Sequence, residues 1–383
     1  MITNCYGKAK ASRLEGRSTT VFRATDWTES YSHHPQITSV NGNLLATWSL
    51  GKLHEDGPGQ RMVMATSDDL GKTWSAPVTV VAAGPGEHRQ VCITSGGIHL
   101  PPEDGLLTAY YTSYDHTLEG LLSFYETGAH MRWATPVACL QDVFTGILQS
   151  TDGGATWTRT DSRIPGFITN LSPVRLSSGR LIITSHRTNA WTDDQAGVVN
   201  WKISPLPGLP ENYYEGAAGD LKIDTDWNNL GICEGSVYEV PGKPLRLLSR
   251  TSKGRLAFAE SHDNGESWTS TKLSEFTDCG ARFQFGRLTD GRCFALSCPN
   301  ADMPEALLRR TPLVMAVSED GDKFDRHYII GDAPDMPLRY PGAYKHGRYG
   351  YPYLHVSDDR LYIINSVGKE DVELHVFDIK DLD

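Results

Sequence analysis

Side chains capable of chemistry stand in short, widely separated segments of this sequence: His33-His34-Pro35, Cys233-Glu234-Gly235, Leu248-Ser249-Arg250, Arg309-Arg310-Thr311 and Arg348-Tyr349-Gly350-Tyr351-Pro352-Tyr353. Imidazoles transfer protons near neutrality because their ordinary pKa is ~6.5. Guanidinium groups stay charged at any working pH and bind planar carboxylates through paired N–H donors. A phenol with a pKa of ~10 is a poor nucleophile at neutral pH. A neighbouring carboxylate that takes its proton makes it competent. Residues of these types can carry acid–base chemistry, and the arginines can hold an anionic group. The 13 His show no H-E-x-x-H spacing, and no Cys/His cluster points to zinc. No Gly-rich phosphate loop is present either, so neither metal nor cofactor is expected.

The elements that must position these residues are announced by a repeat. Ser67-Asp68-Asp69-Leu70-Gly71-Lys72-Thr73-Trp74 reads S-x-D-x-G-x-T-W, and Ser150–Trp157 reads the same. Ser261–Trp268 repeats it with Ser for Thr, and Ser318–Phe324 is a worn copy with Phe for Trp. In such a turn the Asp accepts backbone N–H bonds and the Gly supplies a conformation other residues resist. The Trp packs between neighbouring sheets. These turns are scaffold, and their value is that they count sheets.

Strand-like runs with Gly/Asp/Asn turns recur between them, and long helical periodicity is absent. The expected fold is all-β, a six-bladed β-propeller. The blades fall near 31–80, 90–160, 167–225, 230–275, 280–330 and 348–380, with an insertion around 114–140 in the second. Residues 1–17 read as a polar N-terminal tail. Ser18–Ala24 reads as a strand pairing with the final blade to close the ring. Residues 18–383 should fold as one domain, because no blade buries both faces alone.

Composition sets outer bounds. There are 36 basic and 47 acidic residues, a net charge of −11, which argues against nucleic acid or an anionic membrane as partner. The seven Cys are scattered, and Met1–Thr20 carries no apolar core of a leader. No apolar run reaches the ~18 residues a membrane span needs. A cytoplasmic protein with free thiols is expected.

The repeats and the spacing of the reactive residues resemble the sialidase (neuraminidase) superfamily over about residues 18–380. That family uses a Tyr nucleophile paired with a Glu, three Arg that clamp the substrate carboxylate, and an Asp acid/base; the Tyr is exceptional among glycosidases. By this resemblance Glu234 takes the Glu role. Arg250, 16 residues on and ahead of the third Asp box, takes a clamp role. Arg310, before the strand entering the fourth box, takes another, with Arg309 beside it. Tyr351 opens the inner strand of the last blade and takes the nucleophile role, with Pro352 where Ser is usual.

The first blade departs from the family. His33 stands where the first clamp Arg would, and Arg23 lies upstream. No Asp matches the acid, and Glu55 and Asp56 are the local carboxylates. His33 or His34 then becomes the proton-transfer group. Arg187, Arg89 and His346, the last within the basic segment Lys345–Arg348, are further candidates for contacts to substrate. The resemblance implies an exo-glycosidase acting on a terminal acidic sugar. A His-dependent glycosidase or polysaccharide lyase, and a non-catalytic carbohydrate-binding propeller, are the alternatives.

Overall fold

A computed structural model describes residues 2–4, 6, 11–84, 91–103, 105–116, 140–169, 171–185, 188–207, 230–299, 310–342 and 344–382. Among these, regular structure is strand, apart from a 3-10 turn at Ile379–Asp381 and the single helical residue Leu230. Among the described residues no helix is long and apolar enough to cross a membrane.

Six antiparallel sheets form in chain order. Blade one is β3 (Tyr31–Val40), β4 (Asn43–Gly51), β5 (Arg61–Ser67) and β6 (Val78–Val81). Blade two is β7 (Val91–His99), β8 (Leu107–His116), β9 (Leu140–Ser150) and β10 (Thr158–Pro165). Blade three is β11 (Val174–Arg175), β12 (Leu181–Thr184), β13 (Thr188–Thr192) and β14 (Lys202–Pro205). Blade four is β15 (Gly235–Tyr238), β16 (Leu245–Ser249), β17 (Arg255–Ser261) and β18 (Lys272–Thr277). Blade five is β19 (Gln284–Arg287), β20 (Cys293–Ser297), β21 (Leu313–Ser318) and β22 (Arg326–Gly331). Blade six is β23 (Tyr349–Ser357), β24 (Arg360–Val367) and β25 (Asp371–Asp378), completed by β2 (Arg17–Phe22) as its outer strand. The pairing of Ser18 with His375 closes the ring, as the sequence predicts.

Strands such as β4, β16, β20 and β24 do not alternate buried and exposed, because both their faces are covered, whereas the outer strands β2 and β10 alternate in exposure. In β4, every residue from Leu44 to Gly51 is buried. Apolar clusters lie between consecutive blades. Trp48 of β4 packs with Tyr362, Ile364 and Leu374 of blade six. Phe294 and Met315 of blade five pack with Leu361 and Ile363 of blade six. Burying such side chains is worth roughly 1.5–3 kcal/mol each.

The Asp boxes join the third and fourth strands of blades one, two, four and five. In the first, Asp69 Oδ1 accepts the Lys72 and Thr73 amides, each at 2.9 Å, and Ser67 Oγ accepts the Gly71 amide at 2.9 Å. Gly71 has φ +79°, and a Cβ there would stand 2.4 Å from Leu374 Cδ2 of the neighbouring blade. The glycine thus serves both the turn and the blade–blade seam. Trp268 donates its indole N–H to Ser204 Oγ at 3.0 Å. The indole N–H groups of Trp74 and Trp157 are buried without a partner among the described residues.

The start of the chain departs from the expected tail. Ile2 is buried among Tyr238, Phe276 and Phe285 between blades four and five. Asn4 donates to Thr277 O at 3.1 Å. β1 (Ser12–Arg13) adds to the edge of β22 in parallel. Two buried apolar residues, Ile2 and Leu14, and an open strand edge dock a mostly polar segment.

Candidate active site

Two inner strands carry the same backbone device. β3 shifts register between His33 and Gln36, and β23 shifts between Gly350 and Tyr353. At each shift the residue before a proline has left-handed backbone: His34 at φ 55° and Tyr351 at φ 51°. Pro lacks a ladder donor, and at each of these prolines the strand bulges rather than continuing the ladder. The bulges set the two rings against each other. The centroids of His33 and Tyr351 are 3.9 Å apart, and those of His34 and Tyr351 4.9 Å apart.

Blade four contributes a buried ion pair. Glu234 precedes β15 and Arg250 follows β16, and the Arg250 amide donates to Glu234 O at 2.9 Å. The hairpin therefore puts them side by side, and Arg250 Nη1 donates to Glu234 Oε2 at 2.7 Å. Burial acts against the Arg250 cation, but Glu234, Tyr351 and Cys233 together, with the Glu234 hydrogen bond, outweigh it and hold the guanidinium well above its ordinary pKa. Burial, then Glu234, pushes the Tyr351 phenol well above its ordinary pKa, while Arg250 and Arg310 pull the other way.

Arg310 lies just before β21 at 2 % exposure, and its Nε and Nη1 have no hydrogen-bond partner among the described residues. Its guanidinium carbon is 5.5 Å from the Tyr351 ring centroid. Unmet buried donors of this kind cost about 1–3 kcal/mol, more for a charged group, and are satisfied when an anion binds. His346 has a buried Nε2 without a hydrogen-bond partner among the described residues, and burial, then Arg310, drives its pKa far down. The basic segment around it is not a solvated loop: Lys345 is buried and donates to Ser30 O and Tyr340 O, each at 2.7 Å.

The first-blade side is held differently. The Ser366 hydroxyl donates to Gly350 O at 3.1 Å, so it accepts from His33 Nδ1 at 2.8 Å. That assigns the imidazole proton to Nδ1 and leaves a lone pair on Nε2. Nε2 faces Glu55 Oε1 across 3.9 Å. Burial, then Lys369, holds His33 well below its ordinary pKa, so it is neutral at pH 7. Glu55 Oε2 accepts from Lys369 Nζ at 2.5 Å, and burial pulls Lys369 down to about 8. The donor atoms of His33, His34 and Glu55 lie within 4.8 Å of one another, a spacing a metal ion would fit. Lys369 already holds Glu55, however, and Arg310 and Arg282 add positive charge around His33, so this group is poorly suited to a further cation.

Two residues absent from the sequence-based set complete the cluster. Arg282 lies between β18 and β19 at 1 % exposure, with its guanidinium carbon 4.6 Å from the Tyr351 ring centroid. Asp278 is 1 % exposed with Oδ2 unpartnered, and burial raises its pKa to about 7 against the pull of Gly280 N–H and Arg250. Beside the cluster, Tyr353 reaches Ser172, of the segment entering blade three, at 2.8 Å between hydroxyls.

A family model for the BNR repeat-like domain matches residues 112–363, well over half of the chain. The chain belongs to the BNR repeat-like family. No curated protein sequence matches it. Among solved structures it resembles the NanB sialidase from Streptococcus pneumoniae (K499G mutant) at 14 % identity and TM-score 0.64, covering 95 % of this chain and 71 % of that one. The Hadza microbial sialidase Hz136 matches at 14 % identity and TM-score 0.66, over 96 % and 69 % of the two chains. A protein of unknown function from Dyadobacter fermentans matches at 16 % identity and TM-score 0.65, over 96 % and 99 %. At these identities the likeness is one of fold, a sialidase-like six-bladed propeller.

Within this BNR repeat-like propeller, Glu234, Arg250, Arg310, Tyr351, His33, His34 and His346 fall in one neighbourhood. Arg187, Arg89 and Arg309 lie outside the described residues. Sequence reasoning missed Arg282 because no motif surrounds it. The available signal was a lone Arg between Ala281 and Phe283, in a run too apolar to be a solvated loop. Lys369 gave no such signal, because its burial depends on ring closure against Glu55.

Proposed function

We propose that this chain is a retaining exo-glycosidase for a terminal acidic sugar, with Tyr351 as nucleophile. The observation that carries the reading is the grouping of one phenol, one carboxylate–guanidinium pair and one donor-rich buried arginine from blades four, five and six. Arg310, whose free N–H groups need an anion, holds the sugar carboxylate with help from Arg250. Glu234 takes the phenol proton as Tyr351 Oη bonds to the anomeric carbon and the glycosidic C–O bond breaks. His34, the half-buried imidazole, passes a proton to the leaving oxygen. Water then attacks the anomeric carbon as the Tyr351 Oη–carbon bond breaks, and Glu234 returns the proton to the phenolate oxygen. His33 Nε2 takes the water's proton and passes it back to His34, whose ring centroid lies 4.6 Å away, restoring the site.

One observation favours a second reading. A neutral His33 beside a phenol held well above its ordinary pKa is also a base–acid pair suited to β-elimination from a uronic acid. Here His33 removes the proton next to the carboxylate, and the Tyr351 phenol protonates the leaving oxygen. Fluorogenic glycosides of sialic and uronic acids, together with uronic-acid polysaccharides, separate these readings. Hydrolysis without ultraviolet absorbance supports the glycosidase, and a new absorbing double bond supports the lyase. Tight sugar binding without turnover would leave only a carbohydrate-binding propeller.

A further inference from the structure

We infer that Arg282 is a positioning residue that fixes the Tyr351 phenol in its reactive orientation and stabilises negative charge on that ring as it develops. The inference rests on Tyr351 being the reacting phenol of the proposed glycosidase.

Arg282 reaches Tyr351 in two ways. Its Nη2 donates to Tyr351 O at 3.1 Å, and its guanidinium carbon lies 4.6 Å from the ring centroid. The backbone bond matters because Tyr351 sits at φ 51°. A non-glycine residue in that region costs of order 1–3 kcal/mol and persists only when its surroundings hold it. The ring contact matters for a different reason. A cation over an aromatic face is attracted by the ring quadrupole. Attraction grows as the phenol loses its proton and charge spreads into the ring, so the contact favours the reacting state over the resting one. At 1 % exposure little water screens it. A lysine would not serve equally, because only a planar fork meets a carbonyl and a ring face together. Burial pulls the Arg282 pKa down to about 10, with Glu234 opposing, which still leaves the group charged at neutral pH. Among the described residues, the other charged or titratable groups around the phenol include Glu234, Glu55, Arg250, Arg310, His33, His34 and Tyr31.

The test places a ring-fluorinated tyrosine at position 351 of the full chain and follows its ionisation by fluorine NMR. Arg282→Gln is expected to raise the titration midpoint by about one unit, tenfold in the ionisation constant. It should also lower kcat on an acidic-sugar glycoside with KM unchanged. Arg282→Lys keeps the charge without the fork, and should give a smaller upward shift with a lowered kcat. Should the Gln variant fail to fold, the Lys variant decides. A variant that folds, titrates at the wild-type midpoint and keeps the wild-type kcat would overturn the proposal, leaving Arg282 a purely structural group. If the wild-type chain turns over no acidic sugar, the glycosidase reading fails, and the fluorophenol midpoint alone decides the role of Arg282.

Discussion

The bulge of β3 at His33-His34-Pro35 and the bulge of β23 at Gly350-Tyr351-Pro352 share a backbone and differ in chemistry. Each has a register shift and a left-handed residue before proline, and each turns an aromatic ring toward the same point. The sixth-blade ring is surrounded by guanidinium groups from other blades: Arg282, Arg310 and, through Glu234, Arg250. The first-blade ring is held by the Ser366 hydroxyl and faces a carboxylate–lysine pair. The lesson is that the backbone device positions a side chain without dictating which one. Where the sialidase resemblance calls for a cation, this chain carries a neutral imidazole.

Four measurements would break or sharpen that comparison. The largest effect is expected from Tyr351→Phe, which removes only the hydroxyl. It should lower kcat on an acidic-sugar substrate by roughly 10³-fold with the fold intact. Full activity in this variant would remove the sixth-blade bulge from the chemistry. His33→Ala should lower kcat by about 10²-fold and abolish the acidic limb of the pH profile. An unchanged limb would assign that titration to another group.

Gly350→Ala attacks the seam between the bulges. A Cβ there would stand 2.5 Å from Ser366 Oγ and 2.9 Å from His33 Cε1. Overpacking of this kind costs about 1–3 kcal/mol, so denaturant unfolding should show a lowered midpoint with an unchanged slope. Wild-type stability would mean that the two sides are not mutually tight.

The smallest effect concerns Asp278, on the arginine side alone. Its pKa rises from 3.8 to about 7 on folding. The folded state therefore keeps this proton longer than the unfolded state does. Its contribution is fully present below pH 3.8 and is lost as pH rises through about 7. Asp278→Asn should flatten that part of the stability profile, with no effect on the titration of His33. A profile with the wild-type slope would show that Asp278 does not titrate there.

Much of the architecture was legible in advance. The boxes at Ser67, Ser150, Ser261 and Ser318 were enough to place four hairpins and the blades around them. Ser18–Ala24 was readable as the closing strand. The insertion expected around 114–140 falls largely outside the described residues. The polar look of residues 1–17 was misleading because a few buried side chains, Ile2, Asn4 and Leu14, decide how the segment sits. At the site, Glu234 and Arg250 were readable because one hairpin joins them. The Ser366–His33 bond and the Lys369–Glu55 pair were not, since each links residues more than 300 positions apart.

The sequence by itself determined the four Asp-box turns, and together with the recurring strand-like runs the six-bladed ring. An Asp box satisfies its own Ser, Asp and Gly hydrogen bonds within eight residues, so its signature survives without any distant partner. Only the tertiary structure decided the ionisation and surroundings of the reactive groups. A neutral His33, an Arg310 with unmet donors and an Arg282 over the Tyr351 ring all follow from burial and from charges on other blades. Those influences act through space in a low-dielectric interior, and no local pattern of residues records them.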